Sequence, residues 1–115
     1  MSVFVLDLCD AIRRHDPDTW KELLRIMGTN DINSQNDNGQ TALMCAATNN
    51  VTEAMVDLLK RYDIDVNAMT GIEGLGSNIR WNTVMCVLVW GNMACLKLLL
   101  EDERLDLVDS NGRYL

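Results

Sequence analysis

Two stretches of the chain are built to one plan, and that duplication limits the fold more than any other feature. Residues 36–47, NDNGQTALMCAA, run a polar turn straight into a threonine and a helix of small residues. Residues 82–92, NTVMCVLVWGN, repeat the order, with Thr83 aligned to Thr41 and Val87, Leu88 and Val89 in place of the small residues. Leucine-rich segments follow at 51–61 and 92–101, and each ends in a turn. The turns DIN at 31, DVN at 65 and DLV at 106 begin 34 and then 41 residues apart. A two-helix unit recurring at a period of roughly 20–50 residues marks a linear array, in which each unit covers the apolar face of its neighbour.

Hydrophobic periodicity gives the elements. Val5, Leu8, Cys9 and Ile12 recur three to four apart, and Ser2 is placed to cap that helix. Asp16 followed by Pro17 is a helix start, because proline at the first helical position forfeits no hydrogen bond. Trp20, Leu23, Leu24 and Met27 line the next face, with Gly28 expected to close it. Residues 31–39 lack a helical stripe and are dense in turn formers; Asn38-Gly39 suits a tight hairpin turn. Thr41 caps a helix through Leu43, Ala46 and Ala47, whose small side chains permit close helix approach. Met55, Leu58 and Leu59 line the helix that follows, and Cys95, Leu96, Leu98 and Leu99 line the corresponding one. The expectation is three helix pairs, near 2–28, 41–61 and 83–101, stacked in chain order, with Trp20 and Trp90 in the core.

The segments DNGQTALMCAATNN, MVDLLKRYDIDVNA and CLKLLLEDERLDLVDSNG resemble ankyrin repeats. Gly39, Thr41, Leu43, Ala46 and Ala47 match that family's turn and first helix; Leu58, Leu59, Asp65, Val66 and Asn67 match its second helix and the turn beyond. The likeness is strong over 31–70, moderate over 81–112 and weak over 2–30, as suits a terminal unit. Met44 stands where the family has histidine, Ala42 where it has proline and Trp81 where it has glycine. The resemblance implies an all-α repeat solenoid of stacked helix-turn-helix units joined by hairpin loops. Units are expected near 1–33, 34–67 and 68–108, with an inserted connector at 70–81 and the start of a further unit at 109–115. NGRYL begins the pattern of NGQTA and stops where a helix would start, so the sequence reads as a fragment of a longer array. The other reading is a small protein whose end pairs with something.

By that resemblance the chain is a protein–protein interaction module offering a rigid surface, with a purely structural, capping role for these repeats as the alternative. Turn tips and first helices form the usual contact surface, which singles out Asp37, Asn38, Gln40, Asp109 and Asn111. Asn67 in DVNA, with Leu59 eight positions earlier, is similar to the asparagines that an oxygen-dependent asparaginyl hydroxylase modifies in such arrays. Its structural role, bonding to local backbone, is the alternative. From the residues themselves, the connector at 70–81 is a further candidate surface. Insertions in solenoids gather on one side, and Ile72, Glu73, Leu75 and Trp81 place apolar contacts and a charge there.

Composition narrows the partners. The formal charge is −7, and residues 31–115 hold six Arg or Lys against twelve Asp or Glu. Such a surface repels phosphate backbones and suits a basic protein. No apolar run approaches the roughly 18–20 residues of a membrane span, and no export signal is evident, so an intracellular site, cytoplasmic or nuclear, is expected. Catalysis has little material. His15 is the single histidine, the four cysteines lack C-x-x-C spacing, and Gly71, Gly74 and Gly76 do not form a dinucleotide-binding pattern. No enzyme activity, metal or cofactor is expected. The cysteines, set in apolar helical pattern, read as reduced and buried, with Cys45, Cys86 and Cys95 candidates to lie close together.

Overall fold

The computed structural model describes residues 3–69, 82–90 and 92–106. Three helix pairs carry the fold: α1 (Val3–Arg13) with α2 (Pro17–Ile26), α4 (Ala42–Thr48) with α5 (Thr52–Leu59), and α6 (Thr83–Trp90) with α7 (Met93–Leu100). A single turn of helix, α3 (Thr29–Ile32), follows the first pair. The first helices form one layer, α4 lying between α1 and α6; the second helices form the other, α5 between α2 and α7. This is the stacked, all-α solenoid that the duplication predicts.

One connector joins the first two pairs, and one of its two bonds recurs in the third. His15 N–H donates to the Ile12 carbonyl and Asp16 N–H to that of Ala11; Asn50 and Val51 repeat this onto Ala47 and Ala46. Asn92 N–H donates to Val87 in the same way. These are Schellman closures, which need a left-handed residue just past the helix. His15 and Asn50 accept that conformation at φ 56° and 55°; Gly91 occupies the matching place in the third sequence copy.

The central helix explains the small residues. Residues 42–47 of α4 are at most 1% exposed, because α1 and α6 press on opposite sides and α5 on a third. A helix buried all round is apolar all round, and alanines keep the layers close. Trp20 seats α2 in the core and its indole N–H donates to Asp57 on α5 at 2.9 Å.

Caps follow the sequence at two starts. The Asp16 carboxylate accepts from Thr19 N–H at 3.3 Å and Thr19 Oγ1 at 2.6 Å, and Thr41 Oγ1 accepts from Met44 N–H at 3.3 Å. At the third start the alignment shifts by one. Asn82, not Thr83, is the cap: its Oδ1 accepts from Met85 N–H at 2.9 Å. Thr83 lies inside the first turn, fully buried, and its hydroxyl has no hydrogen-bond partner among the described residues. Asn82→Ala should therefore destabilise the fold by about 1 kcal/mol. Thr83→Val, which replaces an unpaired hydroxyl by a methyl, should stabilise it by about 1 kcal/mol. Urea denaturation of the two variants checks the register, since threonine capping would reverse the ranking.

Other expectations are corrected. Trp90 is 60% exposed, with Leu88 and Val89 beside it also exposed. Among the described residues α6 packs on α4 and α7 and has no helix on its remaining side, and of the three residues replacing the alanine stretch Val87 alone is buried. Gly28 does not close α2; Met27 is the C-cap, and Gly28, at φ −85°, precedes α3. Part of 31–39 is helical after all, because Ile32 drops into the core as α3 packs on α1. Ser2 lies outside the described residues.

Candidate partner-binding groove

The first hairpin is organised by a residue whose role the sequence hides. Asn36 and Gln40 are paired by the Asn36 N–H donating to the Gln40 carbonyl at 2.8 Å. The Asn36 Oδ1 then accepts from the N–H groups of Asn38 and Gln40, at 2.9 and 3.0 Å. Gly39 alone supplies the left-handed torsion, at φ 75°, so the turn is an Asx-closed loop and not the two-residue Asn-Gly hairpin. The rest of the Asn36 amide points inward, to Cys45 Sγ at 3.4 Å and Cys9 Sγ at 3.8 Å. A nearly buried side chain thus anchors an exposed tip.

That anchoring holds Asp37 and Asn38 over α1. A groove of about 410 Å³ lies between them, lined by Leu6, Asp7, Asp10, Arg13, Asn36, Asp37 and Asn38. Three carboxylates face one guanidinium, and among the described residues the one ion pair that a lining residue makes runs outward, from Asp10 to the exposed Arg14 at 3.6 Å. An exposed pair of that kind holds its partners weakly, leaving the rim acidic and open. Among the expected contact residues the structure brings together Asp37 and Asn38. Gln40 is half-buried, does not line the groove, and serves the hairpin. Ile72, Glu73, Leu75, Trp81, Asp109 and Asn111 lie outside the described residues. Asp7, Asp10 and Arg13 were legible only as the polar face of α1; nothing in the sequence sets that face beside residue 37.

Depressions of about 240 and 540 Å³ between α5 and α7 share Leu59, Lys60, Glu101 and Asp102. Here both arginines are already held by aspartates. Arg104 grips Asp102 in a two-point fork at 2.7 and 2.9 Å, and Arg61 grips Asp63 likewise at 2.7 and 2.8 Å. Both arginines also reach back one unit to helix-end carbonyls: Arg61 to Leu24 at 2.6 Å, Arg104 to Leu59 and Arg61 at 2.8 Å. They staple the array together.

Asn67 is a staple as well. Its Nδ2 donates to the Arg104 carbonyl and its Oδ1 accepts from Asp106 N–H, both at 2.7 Å. Asn33 does the same one unit earlier, to the Asp63 carbonyl and Asp65 N–H at 2.8 Å. An enzyme acting on Asn67 must first open both bonds.

Of the thiols expected to lie together, Cys45 is near enough to Cys86 to act on it electrostatically. All four cysteines are free and buried, but the touching pair is Cys9–Cys45, sulfurs 3.0 Å apart. Cys95 sits instead near Asn50 Oδ1, at 3.8 Å. Among the described residues no group of three or more His, Cys, Asp or Glu is placed to hold a metal ion, and no helix is long and apolar enough to cross a membrane.

The chain matches the family described as ankyrin repeats (3 copies) over residues 8–111. No curated protein matches it. Ankyrin repeat domains are non-catalytic and generally serve as protein–protein interaction modules. With the match running through all three helix pairs, and with one closure and one set of staples repeated from unit to unit, the chain belongs to the ankyrin repeat family.

Proposed function

We propose that the domain binds a basic protein segment through the groove between α1 and the first hairpin. The observation that supports this reading is the convergence of Asp7, Asp10 and Asp37 on one depression of about 410 Å³. The apolar stem of such a side chain would lie along Leu6, and its head would meet the carboxylates. Asp37 and Asn38 act as tip contacts, Asp10 and Asp7 as the charged wall. The −7 charge of the chain adds long-range attraction for a basic partner. The connector 70–81, with Ile72, Glu73, Leu75 and Trp81, is a second contact in this proposal on its length and apolar content alone. An intracellular setting goes with the reading.

A panel of arginine- and lysine-rich peptides measured by calorimetry tests it. Asp10→Asn with Asp37→Asn should weaken binding by roughly tenfold or more, since each charged contact contributes about 1 kcal/mol or somewhat more, and should flatten its salt dependence. Deleting 71–78 should weaken binding with helical content kept. Equal affinity for neutral and basic peptides, or none lost in the double variant, would overturn the groove assignment.

The alternative of a supporting role has its own observation: Leu88, Val89 and Trp90 on α6, with Met93 and Leu100 on α7, are exposed apolar side chains. Such a surface suits another repeat stacked upon it. In that reading no peptide of any charge binds the domain.

A further inference from the structure

Beneath the groove lies chemistry that partner binding does not use. Cys9 on α1 and Cys45 on α4 come from adjacent repeats, 36 positions apart in sequence, yet their sulfurs are 3.0 Å apart. A disulfide needs about 1 Å less, with sulfurs ~2.05 Å apart, so the approach is nearly complete in the reduced fold. Neither sulfur is surrounded by hydrocarbon alone. The Asn36 amide donates to Cys45 at 3.4 Å, and the Gln40 Oε1 lies 3.8 Å from it. Asn36 and Arg13 also line the groove, which therefore stands one side chain away from the pair.

We propose that Cys9 and Cys45 form a site of oxidative modification, at which a small hydroperoxide entering past Asn36 joins the first and second repeats by a disulfide. Cys45, the sulfur nearer the Asn36 amide at 3.4 Å against 3.8 Å for Cys9, is the attacking sulfur. Its pKa is lowered by the hydrogen bond from the Cys9 thiol, with the Arg13 cation and Asn36 amide adding to the effect against the opposing cost of burial. Cys9 is raised, by that same bond and by burial, and keeps its proton. In the first step the Cys45 thiolate attacks one peroxide oxygen. The O–O bond breaks, Cys45 becomes a sulfenic acid, and the other oxygen leaves and is protonated to water or an alcohol. In the second step the Cys9 sulfur attacks the Cys45 sulfur. The S–S bond forms, the S–O bond breaks, and the Cys9 proton leaves with the hydroxide as water. Two thiols lose two electrons in all and the peroxide gains them. Cys86, the next thiol toward α6, is pushed up to about 11, mainly by burial, and stays a protonated bystander. Both sulfurs are at most 1% exposed, so local opening of the hairpin sets the rate.

Hydrogen peroxide added to the folded protein at neutral pH tests the site, with free-thiol counting and non-reducing peptide mapping as readouts. The expected result is a plateau at two remaining thiols of the four, one linked peptide pair joining Cys9 to Cys45, and full reversal by dithiothreitol. The oxidised protein should melt several degrees higher, because the bond closes a long loop. Cys45→Ala should lose the linkage and slow peroxide consumption at least tenfold; Cys86→Ser should leave both unchanged. Should Cys45→Ala lose its helical circular dichroism, the wild-type map decides alone. Linkage through Cys86 or Cys95, oxidation to sulfinic acid without linkage, or a Cys9–Cys45 link formed only in denaturant would each overturn the proposal.

Discussion

Leu58→Ala lowers the stability of the domain by about 2–5 kcal/mol, the range found when a buried leucine is truncated and its surroundings close in only partly. Leu58 is fully buried on α5, the second helix of the middle unit, with α2 packed on one flank and α7 on the other. Neither neighbour can move in to fill the space without dragging its own repeat, because Arg61 and Arg104 tie the three second helices end to end. That rigidity places the expected loss toward the upper half of the range. Thr41→Ala removes a single cap bond to Met44 and should lose only about 0.5–2 kcal/mol. Guanidinium denaturation of both variants, with a common m-value, ranks them. Were Leu58→Ala the milder change, the interface between second helices would not be the main source of cohesion.

Both residues were legible in the sequence because each is specified locally. Thr41 sits between a glycine turn and an apolar run, and Leu58 falls on a 3.6-residue stripe with Met55; neither inference needs a distant partner. The third unit defeated the same reasoning by one position. Asn82 and Thr83 are both good caps in isolation, and only the folded backbone, with Met85 N–H on Asn82 Oδ1 and Cys86 N–H on the Asn82 carbonyl, fixes which of them begins α6. Trp90 was misplaced for a related reason: a tryptophan at the end of an apolar helix is core only if a further layer covers it. The groove and the thiol pair were out of reach altogether. Asp37 meets Asp7 and Asp10, and Cys45 meets Cys9, across about one full repeat, and the sequence period gives the unit length without giving which side chains of neighbouring units touch. The staples were hidden by their order. Arg61 precedes Asp63 by two positions while Arg104 follows Asp102 by two, so the same fork is written in opposite directions and no shared motif exposes it.

Asp63→Asn should destabilise the domain by about 2–3 kcal/mol at pH 7, the scale of hydrogen bonds to a charged group, and the loss should shrink in acid. The Asp63 carboxylate is only 6% exposed. It receives Arg61 Nε and Nη2 and the Thr29 hydroxyl at 2.7 to 2.8 Å, so one anion orders the loop after α5 and the start of α3 together. Those bonds, the Arg61 fork foremost, hold its pKa well below the ordinary carboxylate value of 3.8. Asp102 is lowered in the same direction, chiefly by Arg104. A carboxylate with a depressed folded pKa binds a proton more readily in the unfolded chain. Its stabilisation is therefore complete above the unfolded value and is lost as pH falls through the range below it. Wild-type stability should accordingly decline from about pH 5 downward, and the Asp63→Asn protein, lacking the anion, should decline less steeply. Urea midpoints taken from pH 7 to pH 2 supply the comparison, with the gap between the two curves narrowing toward the acid end. A gap of constant size would mean that Asp63 acts through shape and neutral hydrogen bonding, and that the Arg61 staple draws its strength from the Leu24 carbonyl instead.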